Sequence, residues 1–273
     1  LSGCGQHDRG CWEAFEAEFN RLIKPCHDRF NRFLASVDHP PYPPGQFFEA
    51  SPHLNLLLYP QPLAFRRRYP LDPAQFQYLE GCVRGEGEYE VPRFGAQDDK
   101  PLLYVSFGSL GAADVDLFKR LMAVLGRLPY RALLSVGDYA SAYGDIPANV
   151  RIEPFFPQPA VLPHCDVVLH HGGNNTFNEA LYFGKPSLIL PFCWDGLDNA
   201  TRIQETGYGL CLPRYTWTDA ELVSALERLL TDRAMHLRLK DLSAHMQAAD
   251  GRRKAARLID GLLRLSSASP CTP

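Results

Sequence analysis

From Lys100 onward the chain alternates short apolar runs with amphipathic helical patterns, and no other feature narrows the possible folds so far. LLYVSF (102–107), RALLSV (131–136), VRIEPF (150–155), DVVLH (166–170) and SLILP (187–191) have the length and apolar character of buried strands. Apolar residues at helical spacing predict helices from Asp114 to about Leu125, near 174–184 and 196–206, and over 218–231, 233–247 and 252–264. Strands alternating with helices imply an α/β fold, a parallel sheet with helices on both faces, which takes its ligands at the carboxyl ends of the strands.

Upstream of Lys100 the pattern is less regular. Residues 11–36 space Trp12, Phe15, Phe19, Leu22 and Ile23 at helical intervals, and Phe30, Phe33 and Leu34 resume beyond Pro25, giving one broken amphipathic helix or two short ones. Nine of the 23 prolines fall between 40 and 73, where only LNLLLY (54–59) reads as a strand. The polar, glycine-bearing stretch 84–100 suits a linker. The chain starts on Leu1 in place of Met, which raises the expectation of a fragment or a processed product.

Composition excludes several classes. A chain of 273 residues with 45% hydrophobic and 22% charged residues is of globular type. Its net charge is −3, and the longest basic run, Arg66-Arg67-Arg68, has no second cluster near it, which argues against a nucleic-acid partner. No window holds the roughly 18 apolar residues of a membrane span, and the N-terminus lacks a signal-peptide layout, so the chain is expected to be soluble and cytoplasmic. Eight scattered cysteines (4, 11, 26, 82, 165, 193, 211 and 271) without a C-x-x-C pair are expected to be free thiols. Cys4, His7 and Cys11 lack a fourth metal ligand, and no metal is expected.

The chemistry concentrates in HHGGNNTFNEA (170–180), a strand-to-helix turn. The pair Gly172-Gly173 lets the backbone turn sharply and approach a ligand. Free N–H groups at the helix start, with the positive end of the dipole, attract an anion such as phosphate. Asn174, Asn175, Thr176 and His171 can add side-chain hydrogen bonds. The same residues also suit a plain tight turn, with Thr176 and Glu179 as a capping box. His170 and His171 point to opposite faces of an extended chain and do not ligate one ion together.

Other strand ends carry polar groups aimed the same way. Phe155 ends the run 150–155 and Gln158 follows it, where an aromatic face can stack on a base and an amide can read its edge. Asp195 and Asn199 follow the run 187–191, and Gly108-Ser109 follow the run 102–107. Four such ends suggest one cleft.

Residues 155–200, FFPQPAVLPHCDVVLHHGGNNTFNEALYFGKPSLILPFCWDGLDNA, resemble the donor-binding signature of UDP-glycosyltransferases of the GT-B fold. The order W-x-P-Q, H-x-G-G-x-x-S/T-x-x-E, G-x-P and P-x-x-x-D-Q-x-x-N recurs at matching distances. The likeness covers about residues 100–250, including YVSFGS at 104–109, and thins upstream. It implies a Rossmann-like nucleotide-sugar-binding domain over 96–250, a C-terminal helix and tail over 251–273, and a partial acceptor-side domain with linker over 1–95. Phe155 takes the place of the family's base-stacking tryptophan and Gln158 that of its base-edge partner. His171, Gly173, Asn175 and Thr176 fall where the family grips the diphosphate. Glu179 matches the carboxylate that accepts from the ribose hydroxyls, Asp195 the first residue of the Asp-Gln pair that holds the sugar, and Asn199 the trailing Asn.

Two residues depart from the pattern. Phe155 offers a smaller stacking face than tryptophan. Gly196 stands where the family has glutamine, and removes a donor and an acceptor from the sugar site.

The resemblance implies inverting, metal-independent transfer from a UDP-sugar or dTDP-sugar, as co-substrate and without a cofactor, to a small lipophilic hydroxyl acceptor. The family's catalytic histidine belongs to an N-terminal domain of which fewer than 100 residues are present here, and His7, His27, His39 and His53 lack the strand-loop-helix setting of such a base. The alternative is a non-catalytic nucleotide-sugar-binding module, or one dependent on an N-terminal domain supplied by the rest of a longer chain or by another subunit.

Overall fold

The computed structural model describes residues 2–67 and 69–268, so Leu1, Arg68 and Cys271 lie outside the described residues. The chain opens on helix α1 (Arg9–Ser36), whose first turn is capped by Asp8 accepting from the Cys11 amide. It runs through Pro25 as one helix, correcting the expected break. Proline removes a hydrogen bond from a helix interior, but both halves are anchored by aromatic contacts, Trp12 edge-on to Phe65 and His27 edge-on to Phe47.

Cys4 and Cys11 form a disulfide, which corrects the expectation that all the cysteines are free thiols. Their Cα atoms are 5.8 Å apart, within the usual range for such a bond. The turn before α1 brings the two residues together, which no short-spacing motif could announce. The other described cysteines, at 26, 82, 165, 193 and 211, are free.

Two short parallel strands follow, β1 (Asn55–Leu57) and β2 (Phe76–Tyr78), with Asn55 opposite Phe76. The expected strand at 54–59 is β1, whereas nothing in the sequence reading marked β2.

The main sheet holds β3 (Leu102–Ser106), β4 (Arg131–Ser135), β5 (Val150–Glu153), β6 (Val167–His170), β7 (Ser187–Ile189) and β8 (Gly209–Cys211). All pairs are parallel, in the order β5-β4-β3-β6-β7-β8. Five of the six strands lie on the expected runs, and β8 is additional. Short helices α2 (Gly108–Gly111) and α4 (Gln158–Val161) follow β3 and β5. Longer ones are α3 (Val115–Leu125), α5 (Asn174–Tyr182), α6 (Asp195–Thr206), α7 (Asp219–Thr231), α8 (Arg233–Ala249) and α9 (Gly251–Ala268). Their starts follow side-chain chemistry. Asp114 caps α3, Asp232 caps α8, and Thr218 with Glu221 closes a capping box on α7.

Every residue of β3 is buried, as a central strand covered on both faces requires. Leu103 and Val105 enter one apolar cluster with Phe118, Leu121, Leu226 and Leu229, while Leu102 and Tyr104 enter a second with Phe156, Val161 and Leu162. This period-two division fixes the register of the sheet.

Gly3, Gln6, Tyr59, Leu63 and Tyr78 tie the N-terminal segment to this unit. The Gly3 amide donates to Asp198 at 3.0 Å and the Gln6 amide to Glu205 at 2.8 Å, along α6. Arg202 Nε donates to Leu63 O at 2.8 Å, Tyr59 stacks on Phe177, and Lys254 Nζ of α9 reaches Tyr78 O at 2.6 Å. Among the described residues no helix is long and apolar enough to cross a membrane.

Candidate functional site

The strand order places a topological switch between β3 and β6. From β3 the chain winds outward to β4 and β5, then returns through α4 to β6 on the other side of β3. Loops leaving adjacent strands in opposite directions open a crevice at their carboxyl ends. Ser106 pairs with His170 in the register, so Phe107–Gly108 and His171–Gly172 leave the sheet side by side.

A cleft of about 450 Å³ lies there, walled by residues 106–110, 171 with 173–176, 192–195, and Gln158. Ten of the side chains and backbones singled out from sequence bear on it or stand directly behind it. Gly108, Ser109, Gln158, His171, Gly173, Asn174, Asn175, Thr176 and Asp195 line it. Asn199 is buried beneath the turn, where its amide donates to Gly172 O at 2.7 Å and to Asn174 Oδ1 at 2.9 Å. Glu179 is one shell away, bonded to Gln158 Nε2, which also reaches Thr176 Oγ1 at 3.2 Å. Phe155 is 68% exposed and outside the cleft lining, whereas its neighbour Phe156 is a core residue against Tyr89 and Tyr104.

Glycine is needed at the turn for steric reasons. Gly172 has φ +87°, and a Cβ there would lie 2.7 Å from Gly196 O. At Gly173 an added Cβ would lie 2.5 Å from His171 Nε2, and at Gly108 it would lie 2.9 Å from His171 Cε1. The His171 ring is therefore wedged between the two loops. The capping box considered for Thr176 and Glu179 does not form. Helix α5 starts at Asn174, its N-cap is Gly173 without a side chain, and the Asn174 amide donates instead to Asp195 Oδ2 at 2.9 Å.

Protonation follows burial. His170 is fully buried, its Nδ1 accepts from the Gly172 amide at 3.1 Å, and burial pushes its pKa down to about 3. His171 is also held below the ordinary histidine value, first by burial; the Asp195 charge opposes this and the Arg214 charge adds to it. Neutral at pH 7, His171 acts as a hydrogen-bonding group and not as a full positive charge. Burial raises the pKa of Glu179 against the lowering effect of its bond from Gln158.

Several contributors escaped sequence reasoning. Phe192 and Trp194 form the rim after β7; Trp194 is 63% exposed with φ +47°, the residue from which α6 departs. Beneath them Arg214 is buried, donating to Asp114 Oδ2 at 3.0 Å and 3.2 Å and lying 4.6 Å from the Phe192 ring centre and 4.9 Å from that of Phe107. A tryptophan next to a strand's carboxyl end is a usable signal for the rim. Arg214 gave none, because its partner lies 100 residues away in sequence. Of the histidines weighed as a base, His27 is buried with Nε2 at 3.1 Å from Gln46 O, His39 Nδ1 is 2.8 Å from Pro40 O, and neither these nor His7 and His53 line the cleft.

Known proteins share this arrangement. Residues 119–256 match the family described as erythromycin biosynthesis protein CIII-like, C-terminal domain. An NDP-glycosyltransferase of Bacillus subtilis (strain 168), YjiC, is 25% identical over 257 residues, covering 93% of this chain and 65% of the relative. The crystal structure of the kitacinnamycin glycotransferase superposes with a TM-score of 0.79 at 24% identity, over 93% of this chain and 67% of the other. That of the Streptomyces sp. SF2575 glycosyltransferase SsfS6, complexed with thymidine diphosphate, gives 0.61 at 22% identity, over 87% and 60%. The chain spans between 37% and 65% of the length of the first curated relatives it matches. The fold is that of GT-B proteins, and the chain belongs to the family described as erythromycin biosynthesis protein CIII-like, C-terminal domain.

Proposed function

We propose that this chain forms the donor-binding part of a glycosyltransferase that moves a sugar from a UDP-sugar or dTDP-sugar to a small lipophilic hydroxyl acceptor. The observation that carries the reading is the convergence of the α5 N-terminus, His171, Thr176, Gln158 and Asp195 on one cleft at the switch point of the sheet. The names of YjiC and of the thymidine diphosphate complex of SsfS6 support a nucleoside diphosphate as the group held there.

In this reading the diphosphate meets the first amides of α5, with His171 and Thr176 donating to its oxygens. Gln158 reads the base edge beside Phe155, and Glu179 accepts from the ribose. As the acceptor oxygen attacks the anomeric carbon with inversion, the bond to the diphosphate breaks and negative charge grows on its oxygens. Amides and side chains already aimed there stabilise that charge without reorganising, so no metal is required. In this reading His171, the only histidine lining the cleft among the described residues, is committed to the diphosphate, and the acceptor's proton goes to a base outside it.

Calorimetric titration with UDP and dTDP tests the reading. Micromolar binding of at least one is expected, and Thr176→Ala and His171→Ala are each expected to weaken it about tenfold, close to 1.4 kcal/mol. Absence of heat with both nucleotides, or affinities unchanged in both variants, would refute it.

A further inference from the structure

One of the first amides of α5, where the reading above places the diphosphate, is already engaged by a carboxylate. Asn174 contributes the first N–H of α5, and the residue before it, Gly173, has no side chain with which to cap it. Asp195 fills that role from another helix, with Oδ2 at 2.9 Å from the Asn174 nitrogen. It is also a wall residue of the cleft. We infer, resting on the reading above, that Asp195 is a built-in competitor of the diphosphate: it occupies the Asn174 amide until a nucleotide sugar arrives and offers its carboxylate hydroxyls to accept from.

The surrounding geometry confines the exchange to one side chain. Gly196 is in backbone contact with His171 and Gly172, where a Cβ would lie 2.5 Å from His171 O, and Asn199 ties α6 to Gly172 O. The first turn of α6 is therefore pinned to the donor turn, and only rotation of the Asp195 side chain can release the Asn174 amide. A diphosphate entering beside the carboxylate meets two costs, the loss of an acceptor-filled amide and like-charge repulsion at close range. A bare nucleoside diphosphate gives Asp195 nothing in return. A nucleotide sugar supplies hydroxyl donors for the displaced carboxylate, and the charge-assisted bonds so formed offset the displacement. Asp195 thus discriminates the sugar-bearing donor from the diphosphate product, and favours release of that product after transfer.

The experiment is titration of wild type, Asp195→Asn and Asp195→Ala with UDP and dTDP, and with UDP-glucose and dTDP-glucose, alongside thermal melts. The Asn variant keeps shape and an acceptor while removing charge; the Ala variant removes both. Bare diphosphate is expected to bind the Ala variant about five- to tenfold tighter than wild type, with the Asn variant between them. Whichever nucleotide sugar the wild type binds should gain less or lose affinity, so that its advantage over the bare diphosphate shrinks. Equal or weaker binding of the bare diphosphate by both variants, with melts like wild type, overturns the role given to Asp195 while leaving the nucleotide site intact. Failure of the wild type to bind any of the four compounds overturns the donor-site reading itself.

Discussion

Gly196→Gln, which installs the residue that UDP-glycosyltransferases carry at this position, is expected to lower stability by about 3 kcal/mol and to remove nucleotide binding, not to complete the sugar site. A Cβ at 196 would lie 2.5 Å from His171 O, and one at Gly172 would lie 2.7 Å and 2.8 Å from Gly196 O and Cα. Both contacts are backbone against backbone, so no side chain can yield by changing rotamer. Any residue larger than glycine must push α6 away from the donor turn. That movement breaks the Asn199 bonds to Gly172 O and to Asn174 Oδ1, which together set the turn's shape. Urea unfolding of Gly196→Ala and Gly196→Gln measures the effect. Variants within about 0.5 kcal/mol of wild type, the ordinary range for a surface substitution, would show that helix and turn are not locked together.

The second large effect is acid lability centred on His170. Its folded pKa of about 3 lies below the ordinary value of 6.5, so between those limits the unfolded chain binds a proton that the folded one refuses. The stabilisation is complete above pH 6.5 and is lost as pH falls toward 3, by on the order of 4 kcal/mol. The loss has a structural target. Protonating Nδ1 turns the acceptor of the Gly172 amide into a second donor, so the turn loses its internal bond as charge enters the core. His170→Asn supplies an oxygen near the position of Nδ1 and does not titrate. It should be less stable than wild type at pH 7, yet show a shallower decline between pH 6.5 and 3. Parallel declines would assign the acid sensitivity to other groups.

Much of this was legible because parallel sheets advertise themselves. Central strands buried on both faces must be continuous apolar runs, and β3, β4, β6 and β7 lie on such runs, while the edge strand β5 alternates Val150 and Ile152 with charged residues. Gly209–Cys211 was missed because an edge strand of three residues has neither the length nor the composition to stand out. The same holds for Phe76–Tyr78 in the proline-rich region.

At the site, spacing placed His171, Asn174, Asn175 and Thr176 on a strand-to-helix turn, and parallel topology brought Gln158, Ser109 and Asp195 to them. Sequence could not say which of these touch one another. That Asp195 caps α5 across a gap of 21 residues, or that Arg214, bonded to Asp114, packs against the rim ring of Phe192 and the core ring of Phe107, depends on helix packing and not on any local pattern. The Cys4–Cys11 disulfide was hidden for a related reason, since the pairing depends on how the chain enters α1.

The indole of Trp194 has an optical consequence. Of the three tryptophans, Trp217 is enclosed in the core and Trp12 packs on Phe65, whereas Trp194 stands in water immediately before the carboxylate assigned to change partners. Its emission is expected to be red-shifted and open to quenching, and a molecule settling over that lip should dry it. The protein carries its own fluorophore at the entrance of the cleft.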